Sequence, residues 1–107
     1  MSQEIQSPSA KVVLHAPTPS GLERARNNFM NIKKVAPDTD VRIIANAQAV
    51  ATALDQEHAE CDGKTWICPN TLANMGREAR APLQVIAGPA VMELVRLQQE
   101  GWIYIRS

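Results

Sequence analysis

Lys64-Thr65-Trp66-Ile67-Cys68-Pro69-Asn70-Thr71 reads as a short buried strand that ends on a cysteine and turns at once into a helix. Proline is tolerated at the first helical position, because the N–H it lacks would be unpaired there anyway. Cys68 is therefore the expected N-cap, with its sulfur beside the free N–H groups of the first turn. Those groups carry a partial positive charge and favour the thiolate over the thiol. A cysteine placed this way is a candidate nucleophile or sulfur carrier. A cysteine is also a small hydrophobe common in cores, and this stretch alone leaves both readings open.

Outward from that stretch, strand and helix alternate. Lys11-Val12-Val13-Leu14-His15-Ala16 is an apolar run closing around a histidine, as expected of a strand buried on both faces. Pro17 to Gly21 is a loop in which Ser20 is expected to cap the next helix, with Glu23 completing a capping box. Leu22, Ala25, Phe29, Ile32 and Ala36 recur at spacings of three and four, forming one face of a helix that Pro37 and Asp38 end. Val41 to Ala45 is the second strand and closes on Asn46. Ala47, Val50, Ala51 and Leu54 share a face of a short helix running to Gln56.

Glu57 to Gly63 is polar, with Asp62-Gly63 as a turn. Thr65 to Ile67 is the third strand, and the helix after it spans residues 70–77. Leu83 to Ala87 is the fourth strand. Gly88-Pro89 opens a fourth helix with Val91, Leu94, Val95 and Gln98 on one face. Gly101 stops it, and Trp102-Ile103-Tyr104-Ile105 is the last strand.

Five strands and four helices in strict alternation predict an α/β fold. Its expected form is a three-layer α/β/α arrangement around a mostly parallel sheet. With 107 residues the chain makes one domain. Residues 1–10 read as a flexible tail and 11–107 as the domain. Eleven basic and eleven acidic residues cancel, so charge makes no case for nucleic acid or an acidic membrane. No apolar run approaches the ~20 residues needed to cross a bilayer. The first ten residues lack the basic start and apolar core of a secretory signal, so the cytoplasm is the expected location. Two thiols are then expected rather than a disulfide. Cys61, Cys68, His15 and His58 do not have zinc-site spacing, so no metal is expected. The loop after the first strand lacks both glycine-rich phosphate-binding patterns, so no nucleotide cofactor is expected either.

In an open parallel sheet, ligands bind outside the carboxyl ends of the strands. His15, Asn46 and Cys68 stand at those ends, so the alternation sends an imidazole, an amide and a thiol to one edge. A histidine there could accept or donate the proton of the thiol. Asn46 also reads as a helix cap, and His15 as a strand-end residue with no chemical role. Cys61, across the Asp62-Gly63 turn, reads as a bystander. Trp66, Trp102 and Tyr104 read as core or subunit-contact residues.

The layout resembles the DsrE/DsrF-like proteins, small α/β subunits that include sulfur-relay components of sulfur oxidation and tRNA thiolation. The resemblance is carried by Lys11-Val12-Val13-Leu14-His15, by Asn28, Asn31 and Ile32 of the first helix, and by Cys68-Pro69-Asn70-Thr71-Leu72. It is completed by the ending Leu97-Gln98-Gln99-Glu100-Gly101-Trp102-Ile103-Tyr104-Ile105, and it spans residues 11–106. It implies a flavodoxin-like sheet and homo-oligomers, trimers or hexamers. In the sulfurtransferase members it also implies a persulfide on the cysteine at the position of Cys68.

The expectation is then a cytoplasmic sulfur carrier working with donor and acceptor proteins. In it Cys68 bears the sulfur, His15 tunes or shuttles its proton, and Asn46, Asn70 and Thr71 bind sulfur or substrate. The alternatives are a non-catalytic oligomeric module with a structural Cys68, and a small-ligand-binding crevice without turnover.

Overall fold

The computed structural model describes residues 10–107, so the tail read over residues 1–10 falls, except for Ala10, outside them. The elements are β1 (Lys11–Ala16), α1 (Pro19–Val35), β2 (Asp40–Ala45), α2 (Ala49–Asp55) and β3 (Thr65–Ile67), followed by α3 (Pro69–Met75), β4 (Gln84–Val85), α4 (Ala90–Gln99) and β5 (Ile103–Arg106). A short 3-10 turn, Asp62–Lys64, leads into β3.

The strands form one parallel sheet in the order β4-β3-β2-β1-β5. From β1 to β4 the chain steps one strand at a time in the same direction. It then jumps past three strands to lay β5 on the free side of β1. Because strand–helix–strand crossovers are right-handed, stepping one way puts α1, α2 and α3 on one face. The reversed step puts α4 on the other. The result is a three-layer α/β/α sandwich of flavodoxin-like architecture.

Side-chain alternation along the strands feeds two cores. Val12, Leu14, Val41, Ile43 and Ile67 point towards α1, α2 and α3, where they meet Leu22, Phe29, Val50, Leu54 and Leu72. Val13, Ile44 and Cys68 point the other way and meet Leu94, Leu97 and Trp102. Three helices cover the first face and one helix covers the second. On that thinner side the guanidinium of Arg42 lies between two indoles, 4.6 Å from the ring centre of Trp66 and 4.7 Å from that of Trp102. No helix among the described residues is long and apolar enough to cross a membrane.

Several local expectations change. Thr18, not Ser20, caps α1, accepting from the N–H of Gly21 at 2.9 Å, so the helix begins two residues earlier and no Ser20–Glu23 box forms. Gly21 has a packing reason to be glycine, because a Cβ there would lie 2.9 Å from Thr18 Oγ1 and 3.0 Å from the Ser107 carbonyl oxygen. In α2 the buried residues are Ala49, Val50, Ala53 and Leu54, while Ala47 belongs to the preceding turn. In α4 they are Ala90, Leu94 and Leu97, whereas Val91 and Val95 face outward. The fourth strand pairs over two residues only. Gly101, with φ of 94°, ends α4 as expected, a conformation that favours glycine.

Candidate functional site at the carboxyl ends of the strands

Cys68 is the N-cap of α3, with extended backbone (φ −73°, ψ 123°) and Pro69 directly after it. Its N–H donates to the Ala45 carbonyl at 3.1 Å, so the ladder between β2 and β3 runs right up to the cysteine. The sulfur closes no capping hydrogen bond of standard geometry. The N–H groups of Thr71 and Asn70, the Thr71 hydroxyl and the N–H of Ala90 at the start of α4 nevertheless act on it as donors. Burial pushes the thiol up, but these donors outweigh it, and its pKa is lowered from the ordinary value. Two helix starts thus converge on one sulfur that is 7% exposed.

His15 is the next-to-last residue of β1, two strands away from β3. Its Nε2 lies 3.0 Å from Asn46 Oδ1 and its Nδ1 lies 2.7 Å from the Tyr104 hydroxyl. Burial lowers the imidazole pKa, the bond to Asn46 works against that, and the Arg106 charge lowers it further. Asn46 is held in turn by its N–H, which donates to the Ala16 carbonyl at 3.2 Å. The next residue, Ala47, has φ of 51°, a left-handed conformation that costs an alanine about 1–2 kcal/mol. Ala45 pairs with Ile67, so Asn46 and Cys68 stand opposite each other one step further along the same two strands.

All three strand-end residues therefore reach one edge, and Thr71 joins them through both its N–H and its hydroxyl. Asn70 contributes its backbone N–H. Three further participants were not expected there: Tyr104, Arg106 and the N–H of Ala90. Tyr104 and His15 are 89 residues apart in sequence. Only the placement of β5 beside β1, with His15 opposite Arg106, brings them together.

Cys61 belongs to a different neighbourhood. It precedes the turn into β3, at the amino end of that strand, and is fully buried. Its Sγ is 3.9 Å from the Arg26 carbonyl and 4.0 Å from His58 Nε2, and burial pushes the thiol up to about 12. The adjacent Asp62 is 3% exposed, accepts from Arg26 at 3.3 Å and from the His58 N–H at 2.9 Å, and forms an ion pair with Arg80 at 2.9 Å. Arg80 also donates to the Ala53 and Leu54 carbonyls at the end of α2, at 2.7 and 3.0 Å. This cluster ties α1, α2 and the segment before β4 together, and its role is structural.

A concavity of about 510 Å³ runs between α1 and α2 along Glu23, Arg26, Thr52, Gln56 and His58. None of Cys68, His15 and Asn46 lines it. Among the described residues, no three His, Cys, Asp or Glu side chains are grouped to hold a metal ion. The chain matches no protein-family model and no curated protein.

Proposed function

We propose that the protein is a sulfur carrier of the DsrE/DsrF-like kind, in which the Cys68 thiolate takes up a sulfane sulfur and passes it on. The observation that carries this reading is the Cys68 sulfur set between the starts of α3 and α4, facing donors that favour its anion. The thiolate attacks the outer sulfur of a persulfide on a donor protein. A sulfur–sulfur bond forms at Cys68, the donor's own sulfur–sulfur bond breaks, and the donor leaves as a thiolate. The sulfur moves without a change in electron count, so no external oxidant enters. An acceptor thiolate repeats the step in reverse. The donors that favour the Cys68 thiolate also stabilise it as the leaving group in that second step.

Assembly into trimers or hexamers and a cytoplasmic location belong to the same reading. Self-association is supported by the outer edge of the sheet, where β5 leaves Ile103 53% and Ile105 41% exposed on a strand unpaired on that side.

The test is to treat the full chain with inorganic polysulfide and locate the added sulfur by mass spectrometry. Added sulfur is expected on Cys68 and not on Cys61, lost in Cys68→Ala and retained in Cys61→Ala. Undiminished uptake by Cys68→Ala would sink the reading. The 7% exposure of Cys68 favours a second one, a non-catalytic oligomeric module with a structural thiol. On that reading Cys68 stays unmodified until the protein unfolds.

A further inference from the structure

Both ring nitrogens of His15 are engaged, and the partners dictate where its proton sits. Asn46 Oδ1, 3.0 Å from Nε2, is a carboxamide oxygen and can only accept, so Nε2 carries the hydrogen. A neutral ring with Nε2–H has its lone pair on Nδ1, so the Tyr104 hydroxyl at 2.7 Å donates to it. The hydrogen bonds then run one way, from Tyr104 to His15 and from His15 to Asn46. Arg106 on β5 is the charged group acting on this ring and Tyr104 the titratable group in contact with it. Together with burial, Arg106 disfavours a second ring proton.

This direction has two consequences. Neither nitrogen of His15 is free to take a proton from Cys68. With Oδ1 turned to the imidazole, the Asn46 amide presents its NH2 group on its other side, where it meets no acceptor among the described residues. Asn46 stands opposite Cys68 across two strands about 4.8 Å apart, on the face shared with Ile44 and Trp66. The left-handed turn at Ala47 fixes the backbone that presents it.

We infer that the Asn46 amide donates to the outer sulfur carried on Cys68, and that Tyr104 and His15 are positioning residues that turn the amide towards it. The donors at the two helix starts face the sulfur of Cys68 itself. The outer sulfur of a persulfide lies one sulfur–sulfur bond, about 2 Å, further out and holds the negative charge. It needs a donor of its own, and the amide hydrogens of Asn46 supply one. The role of Asn46 rests on the carrier reading above. The direction of the hydrogen bonds does not.

The experiment has two arms on the full-length chain. Nitrogen NMR of His15, in a His58→Gln background that leaves one histidine, is expected to show neutral Nε2–H at pH 7. An Nδ1–H tautomer or an imidazolium at that pH overturns the orientation. The second arm loads Cys68 with inorganic polysulfide and times the decay of the persulfide in a double-mutant cycle. Asn46→Ala is expected to shorten the lifetime about ten- to a hundredfold, the size of one hydrogen bond to a charged group. Tyr104→Phe, which keeps the ring and its packing, is expected to shorten it by less, and to have no further effect on top of Asn46→Ala.

An equal effect of Tyr104→Phe in both backgrounds overturns the inference. If Cys68 takes up no sulfur while the Nε2–H tautomer is present, the carrier reading and the role of Asn46 fall and the orientation stands. If sulfur is taken up and the tautomer is reversed, the orientation falls and the carrier reading stands.

Discussion

Cys61 and Cys68 flank β3 at its two ends, and each has polar company, yet the two surroundings act on the thiol in opposite directions. At the amino end the sulfur of Cys61 meets a backbone carbonyl and an imidazole nitrogen in a fully buried setting, beside a carboxylate already satisfied by two arginines. His58 accepts the Cys61 N–H at Nδ1, so its Nε2–H faces the sulfur, but at 4.0 Å this long contact does not offset the lost hydration. At the carboxyl end the sulfur of Cys68 meets unpaired N–H groups, because two helices begin there. In a parallel sheet this asymmetry is general: helices that return across the sheet start at the carboxyl ends of the strands, and their free donors collect at that edge. One end holds the layers together, and at the other free donors collect around the sulfur.

The largest effect that sharpens the contrast is on stability. Asp62→Ala leaves Arg26 and Arg80 without their buried counter-charge and is expected to cost about 3–5 kcal/mol, read from urea unfolding. A loss below about 1 kcal/mol would remove the clamp from the Cys61 end. Next comes thiol reactivity. Near pH 7.5, iodoacetamide is expected to modify Cys68 at least about a hundredfold faster than Cys61, which becomes reactive only on unfolding. Similar rates at the two positions would break the comparison outright.

A smaller effect concerns the turn that presents Asn46. Ala47→Gly relieves the left-handed alanine and is expected to raise stability by up to about 1 kcal/mol, measured as a higher midpoint of denaturation. Unchanged or lower stability would mean that the turn holds no strain.

The smallest effects are in the pH dependence, and their signs differ between the two ends. The folded pKa of Cys61 is raised, so above the free-thiol value of about 8.5 the unfolded chain loses a proton that the folded one keeps. Stability falls there as pH rises. For Cys68 the folded pKa is lowered, so the folded state releases its proton first and stability rises towards that same pH. His15 is lowered as well, so below about 6.5 the unfolded chain gains a proton that folded His15 refuses, and stability drops as pH falls. Unfolding curves of Cys61→Ala, Cys68→Ala and His15→Gln should each lose one of these three slopes. A variant that keeps its slope assigns that titration to another group.

Much of the fold and half of the site were legible before any coordinates. Alternating apolar runs and helical spacings are local patterns, so the order and type of all nine elements followed from them. The Cys68-Pro69 pair marked a helix start because proline is tolerated there. Errors arose where a local pattern admits two solutions. Val91 and Val95 are as apolar as Leu94 and Leu97, and only the angle at which α4 lies on the sheet decides which side is buried. Ser20 and Thr18 are both good caps, and Pro19 in the first turn goes with the earlier one.

The segment Glu57 to Gly63 reads only as polar with a turn, and nothing within it announces Arg26, 36 residues before Asp62, as its partner. Tyr104 reads as core or contact surface because nothing nearby in the chain announces His15.

By itself, then, the sequence determined which segments become strands and helices and that a cysteine caps one of them, since these depend on neighbours within a few residues. Only the tertiary structure decided what surrounds that cysteine. The jump from β4 to β5 reverses the winding, lays α4 alone on the second face with the Ala90 N–H against the Cys68 sulfur, and sets Tyr104 and Arg106 beside His15. That reversal is chosen by how the two faces of the sheet are covered, a property of the packed whole that no short stretch contains.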